Sequence, residues 1–186
     1  MQRTIQYASS IERDLLFFLE FDQTVLHYHE QPLCMSQTLA DGISHRYTPD
    51  FLLHYADEQV IVECKPVDRL EHPHTQQQCQ MGQQWADEND TRFRLVTDAD
   101  LRAGHQLANL KLLWRYSRFE SPDQAKRICL RVVSDAGELS MKNLCAQLES
   151  QAIASLPLVC HLLFHHHLWA DLHQPLTSDS IIRRGI

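Results

Sequence analysis

Hydrophobic positions along the chain change spacing several times, and each change predicts an element. Ile11, Leu15, Phe18 and Leu19 fall on one face at helical spacing, so a helix is expected over about 9–20. A strand is expected near TVLHYHEQ (24–31), followed by a loop ending around Ile43. Residues 46–66, RYTPDFLLHYADEQVIVECKP, read as two strands joined by a short polar turn. After Pro66 the chain turns polar and Gln-rich. HTQQQCQMGQQWADEN suits an exposed helix with Cys79, Met81 and Trp85 as inward contacts. RFRLVTD reads as a strand with Phe93 and Leu95 on one face, and HQLANLKLLWRYSR as a further helix. Residues 1–118 therefore read α-β-β-β-α-β-α, a mixed sheet with helices.

FESPD (119–123) marks a boundary, because Ser-Pro breaks the preceding helix. Beyond it DQAKRICLRVV, MKNLCAQL and LPLVCHLLFHHHLW predict three short helices, and ADLHQPLTSDSIIRR a small hairpin or tail. Three helices and a wing is the layout of a winged helix-turn-helix module. The expected organisation is a first domain over 1–118 and a small winged-helix domain over 119–186. No internal repeat or low-complexity tract interrupts either.

The 46–66 hairpin carries charges that its apolar run does not explain. Side chains alternate faces along a strand, so Glu63 and Lys65 point one way and Val60, Val62 and Cys64 the other. A two-residue turn at Ala56-Asp57 sets Asp50 opposite Glu63, and one at Asp57-Glu58 sets it opposite Lys65. Either places all three on one face, unless a bulge near Pro49 intervenes. Two carboxylates so close repel each other, and a divalent cation relieves the repulsion. Carboxylates and a backbone carbonyl, here that of Cys64, suit a hard cation such as Mg²⁺ or Mn²⁺. Lys65 would then orient a water nucleophile or stabilise phosphoryl charge. A cross-strand ion pair on a solvated face is the plainer reading of the same residues. Glu12, beside the apolar face of the first helix, is a fourth candidate. Ser9-Ser10-Ile11-Glu12 also fits a capping box, in which Glu12 bonds back to the Ser9 amide.

Composition narrows the setting. The formal net charge is -7 over 186 residues, which is not the footprint of an independent DNA binder. Any action on nucleic acid therefore calls for a partner to supply much of the grip. The six cysteines form no C-x-x-C pair and mostly lie in apolar runs, as expected of reduced core thiols. No apolar run is long enough to cross a bilayer, and the first residues lack the apolar core of a signal peptide, so a cytoplasmic protein is expected.

The P-D, twelve-residue spacer and E-x-K at 49–65 resemble the PD-(D/E)XK nuclease superfamily. The surrounding SSIERDLLFFLEFDQTVLHYHEQP, together with RYTPDF and LVTDADL, resembles the N-terminal catalytic domain of TnsA across most of residues 8–118. TnsA is the endonuclease subunit of heteromeric cut-and-paste transposases. The resemblance implies a restriction-endonuclease-like fold, Mg²⁺-dependent phosphodiester hydrolysis and a site formed by Glu12, Asp50, Glu63 and Lys65. It implies cleavage at the 5′ ends of transposon DNA beside a TnsB-like transposase that cuts and joins the 3′ ends. Residues 120–186 resemble the family's C-terminal winged-helix region, which implies contact with a TnsC-like AAA+ regulator. A stand-alone repair or restriction nuclease of the same fold, and a non-catalytic adaptor, are the alternatives.

Three further groups invite hypotheses. Gln76, Gln77 and Gln80, following Lys65, could meet DNA through their amides, or simply face solvent. Cys160, His161, His165, His166 and His167 suggest zinc, but no second ligand pair with zinc spacing accompanies them; helical packing explains them adequately. Arg183 and Arg184 could contact phosphate, although a disordered tail is the simpler expectation.

Overall fold

The computed structural model describes residues 6–38, 42 and 44–185. Its contacts divide the chain into two compact units between Leu101 and Arg102, rather than at the expected 118/119 boundary. The reason is local. The helix over Gln106–Arg115, which the sequence reading assigned to the first domain, packs on a helix at Ser155–Phe164.

The first unit is built on a four-stranded sheet. Helix α1 (Ser10–Phe21) begins at Ser9, whose side-chain oxygen accepts from the Glu12 amide. Strands β1 (His27–Glu30), β4 (Phe51–His54), β5 (Gln59–Lys65) and β6 (Arg92–Thr97) lie in the order β1-β4-β5-β6. The first two pairings are antiparallel and β5–β6 is parallel, so the sheet is mixed. A parallel pair needs a crossover, supplied by helix α2 (Pro73–Glu88).

Alternation along the strands gives the sheet two apolar faces. Ile11, Leu15 and Leu19 of α1 cluster with Phe51, Leu53, Val60, Val62, Cys64 and Val96. On the other face Ile61 clusters with Met81 and Ala86 of α2. Within α2, Met81 is buried as expected, while Cys79 and Trp85 are only half-buried.

The segment expected to be a loop contains a second, two-stranded sheet. Strands β2 (Met35–Thr38) and β3 (Ser44–Tyr47) pair antiparallel from Met35–Tyr47 to Thr38–Ser44. Ile43, the expected end of that loop, lies outside the described residues. MSQT and SHRY lack apolar alternation because only Met35 and Tyr47 are buried, both against the α2 face. The strand expected from residue 46 onward is consequently split. β3 ends at Tyr47, and Pro49 precedes a bend at Asp50 before β4 begins.

Gly82 makes close packing of α2 possible. A Cβ there would meet the Phe93 ring at 2.6 Å and the Tyr47 ring at 3.1 Å. Gly82→Ala is expected to destabilise the protein by about 1–3 kcal/mol, despite the better helix propensity of alanine. Urea unfolding checks this; an unchanged or raised midpoint would show that the two rings yield freely.

The second unit follows the short helix α3 (Asp98–Arg102). It contains α4 (Gln106–Arg115), α5 (Asp123–Ala136), α6 (Met141–Glu149) and α7 (Ser155–Phe164). Strands β7 (Glu138–Ser140), β8 (Leu168–Trp169) and β9 (Ile181–Arg184) form a three-stranded antiparallel sheet in the order β7-β9-β8. The expected C-terminal tail is therefore its central strand. Ile182 is fully buried, and Arg183 pairs with Glu138 at 2.8 Å and lies over the Trp169 ring. The histidines of α7 also have structural employment. His161 Nδ1 and His165 Nε2 both lie within hydrogen-bonding distance of the Ser117 carbonyl, at 3.1 and 2.8 Å. Among the described residues, no helix is long and apolar enough to cross a membrane.

Candidate active site

The β4–β5 hairpin sets the geometry of the charged residues. Its last ladder pair is His54–Gln59, and the Tyr55 amide donates to the Glu58 carbonyl at 2.9 Å, leaving Ala56-Asp57 as the turn. Of the two registers open to the sequence, this is the one that sets Asp50 opposite Glu63. Phe51 pairs with Val62, and the Asp50 amide donates to the Val62 carbonyl at 3.0 Å. From β1's side the Gln31 amide donates to the Asp50 carbonyl at 2.9 Å. The Asp50 backbone is thus held from both neighbouring strands.

Its side chain is held as well. Asp50 Oδ2 accepts from the Cys64 amide at 2.7 Å. That amide and the Val62 carbonyl both face the β4 side. Backbone polar groups alternate along a strand, so the Cys64 carbonyl faces the same side, where β4 has already ended.

Glu63 is only 2% exposed, so its charge needs partners. It has two. Lys65 Nζ lies 2.6 Å from Oε1, and the Tyr47 hydroxyl donates to Oε2 at 2.8 Å. The pair is therefore not the solvated surface contact of the plainer reading. Tyr47 was not singled out from the sequence, because nothing local marks it. It reaches Glu63 from β3, which pairs with β2 and not with the strands of the expected 46–66 hairpin. The burial of Tyr47 and the adjacent Glu63 carboxylate push its phenol far above the ordinary range, so it remains a neutral donor.

Glu12 approaches from α1 and is buried. Its Oε2 accepts from the Ala8 amide at 2.9 Å, one residue before the Ser9 amide that the capping-box pattern implied. It caps the helix start through Ala8, and its charge contributes at Asp50. Burial, then the charge of Glu63, raise the Asp50 carboxyl to about 7; Glu12 adds to this, while the Cys64 amide and Lys65 oppose it. The Cys64 thiol, among the α1-facing core residues, is pushed up by burial and by the carboxylates around it. That thiol is a packed core group beside the site, not a nucleophile.

On the opposite face, α2 brings Cys79 within the electrostatic reach of Glu63 and Lys65. Gln76 and Gln80, on either side of it along the helix, are exposed, and Gln77 is half-buried. The hairpin thus unites Asp50, Glu63 and Lys65 at the end of β5, with Glu12 on one flank and α2 on the other.

No curated protein matches the chain. Among protein families, the model described as TnsA-like endonuclease N terminal matches residues 22–98. The span includes Asp50, Glu63, Lys65 and α2, and leaves Glu12 just outside it. The mixed sheet flanked by helices and the carboxylate-bearing hairpin agree with that match: residues 22–98 are similar to the TnsA-like endonuclease N-terminal domain.

Proposed function

We propose that this chain is the Mg²⁺-dependent DNA endonuclease subunit of a TnsA-type cut-and-paste transposition system, hydrolysing phosphodiesters at the 5′ ends of the transposon. The observation that carries this reading is the convergence of Asp50, Glu63 and Lys65 on one hairpin inside the matched domain.

The residues fit a hard divalent cation. Asp50, Glu63 and the Cys64 carbonyl make an all-oxygen donor set, and the raised Asp50 carboxyl marks an excess of negative charge that a cation would relieve. When bound, Mg²⁺ or Mn²⁺ supplies Lewis-acid stabilisation of the phosphate and lowers the pKa of water. The chain's own groups do the rest. Tyr47 and Lys65 fix the Glu63 carboxylate, and the Cys64 amide fixes that of Asp50. Lys65 presents a cation next to the reacting phosphate, where negative charge builds up during attack. Gln76 and Gln80 offer amides to the DNA from α2.

Charge favours delivery of the DNA by a partner. Residues 1–118 carry 11 Lys and Arg against 17 Asp and Glu, which repels a polyanion at long range. A basic TnsB-like transposase holding the transposon end would overcome that repulsion. Residues 119–186 carry six basic against seven acidic side chains, too balanced for a strong phosphate grip. Helices α5, α6 and α7 with the β7-β9-β8 sheet support a winged-helix reading of this part. We assign it to protein contact, with a TnsC-like AAA+ regulator as the partner.

The test is 5′-end cleavage of a cognate transposon-end duplex in Mg²⁺, with transposase and regulator added singly and together. Weak cutting alone and site-specific cutting in the full mixture are expected. Efficient site-specific cutting by the lone chain would remove the partner from the reading.

A further inference from the structure

We propose that His27, His29 and His54 form a transition-metal site, best suited to Zn²⁺, that clamps the edge strand β1 to β4.

The site follows from the pairing of two short strands. His27 lies directly across from His54 in the β1–β4 ladder, and His29 is two residues along β1 on the same face. Tyr28 and Leu53 point the other way, into the core under α1. The three imidazoles therefore share one face of the sheet. One ligating nitrogen from each ring lies within 4.8 Å of the other two. The rings of His27 and His54 are stacked at 4.0 Å between centroids, and His29 meets each edge-on at 5.5 and 5.6 Å.

Among the described residues, nothing explains why three titratable rings should crowd here. His54 Nε2 is buried and makes no hydrogen bond, a costly arrangement for a polar nitrogen. Nor do the rings belong to the apolar core, since His27 and His29 are exposed.

The donor chemistry selects the ion. Three imidazoles suit zinc, nickel or copper and are poor ligands for Mg²⁺ or Ca²⁺. Zn²⁺ accepts three histidines and completes a tetrahedron with water. Its ligand nitrogens sit about 2.0–2.1 Å from the ion, so the rings would draw together on binding. His27 and His29 are exposed and can turn out of the stacked arrangement without disturbing the core.

This site is separate from the carboxylates. His54 ends β4, four residues after Asp50, about 13 Å away at strand rise, and shares no ligand with it. Its expected effect is structural. β1 is an edge strand, paired only with β4 within its sheet, and the Gln31 amide just beyond it holds the Asp50 carbonyl. A metal joining His27 and His29 to His54 would secure β1 at the end of the ladder remote from Asp50.

The test uses the full-length chain, stripped of metal and free of any polyhistidine tag. Zn²⁺ binding is followed by calorimetry, and Co²⁺ as a probe by its visible d–d absorption. One equivalent is expected to bind to the wild type and to Asp50→Ala alike. His27→Ala and His29→Ala, at exposed positions that preserve the fold, are expected to weaken binding at least about 10-fold. His161→Ala is expected to leave it unchanged. Equal affinity in the His27 and His29 variants would overturn the proposal, as would wild-type binding seen only at millimolar Zn²⁺. Because the readout is metal binding rather than DNA cleavage, it stands apart from the endonuclease reading.

Discussion

Lys65→Ala, assayed in the full transposition mixture, is expected to lower 5′-end cleavage by about 10²–10³-fold, the usual cost of losing one preorganised charge-stabilising group. Lys65 Nζ touches Glu63 at 2.6 Å and is still partly exposed, so one cation both neutralises a buried carboxylate and remains open to a phosphate. The substitution removes both roles. It leaves Glu63, 2% exposed, held by the Tyr47 hydroxyl. A loss of stability of about 1–3 kcal/mol is therefore expected too, less than for a fully enclosed pair because solvent reaches the lysine. Circular dichroism and urea unfolding separate the two effects: the variant should be folded under assay conditions, yet inactive. Asp50→Ala should be as inactive while remaining folded. Undiminished cutting by either variant would remove this hairpin from the chemistry.

Asp50→Asn is expected to stabilise the metal-free protein above neutral pH. The Asp50 carboxyl stands at about 7 in the folded chain against an ordinary 3.8. Between those values the folded state keeps a proton that the unfolded state has lost. The stability that this proton contributes is full below about pH 4, declines as pH rises, and is gone above about 7. The wild type should therefore lose roughly 2 kcal/mol across this window relative to the Asn variant, after allowance for partial solvent access. An asparagine oxygen can still accept from the Cys64 amide, so the comparison isolates the charge. Mn²⁺ should restore wild-type stability at pH 8 and do little for the variant, because the cation requires the ionised carboxylate. Parallel stability-against-pH curves for the two proteins would show that Asp50 ionises without penalty.

Several elements were legible because one local signal sufficed. The α1 stripe of Ile11, Leu15 and Leu19 predicts its helix, and Ser9 its cap. The Val-Ile-Val run predicts β5, and alternation puts Glu63 with Lys65 and against Val62 and Cys64. The helices after FESPD were legible for the same reason. The β2–β3 hairpin was not, because its buried contribution is one residue per strand, Met35 and Tyr47. Period-2 alternation cannot register in such strands; their place is set by packing on α2. The Tyr47–Glu63 bond went unseen with it. The last strand read as part of a small hairpin or as a tail because Ile181–Arg184 is short and charged, and only pairing with both β7 and β8 makes it central.

What the sequence determined by itself is the kind of chemistry on offer: two carboxylates and an amine, spaced so that strand geometry brings them to one side. Strand alternation follows from the extended backbone, so wherever the segment is a regular strand it holds irrespective of the rest of the chain. What only the tertiary structure decided is which residues meet from different elements. The sequence left two turn registers open, and the ladder from Phe51–Val62 to His54–Gln59 settled on the one that opposes Asp50 to Glu63. Tyr47, Glu12 and the three histidines of β1 and β4 reach their partners through the pairing of strands or the seating of a helix, at separations that no local pattern encodes. The raised carboxyl of Asp50 belongs to the same category: burial is its largest cause, and burial is a property of the assembled sheet and helices.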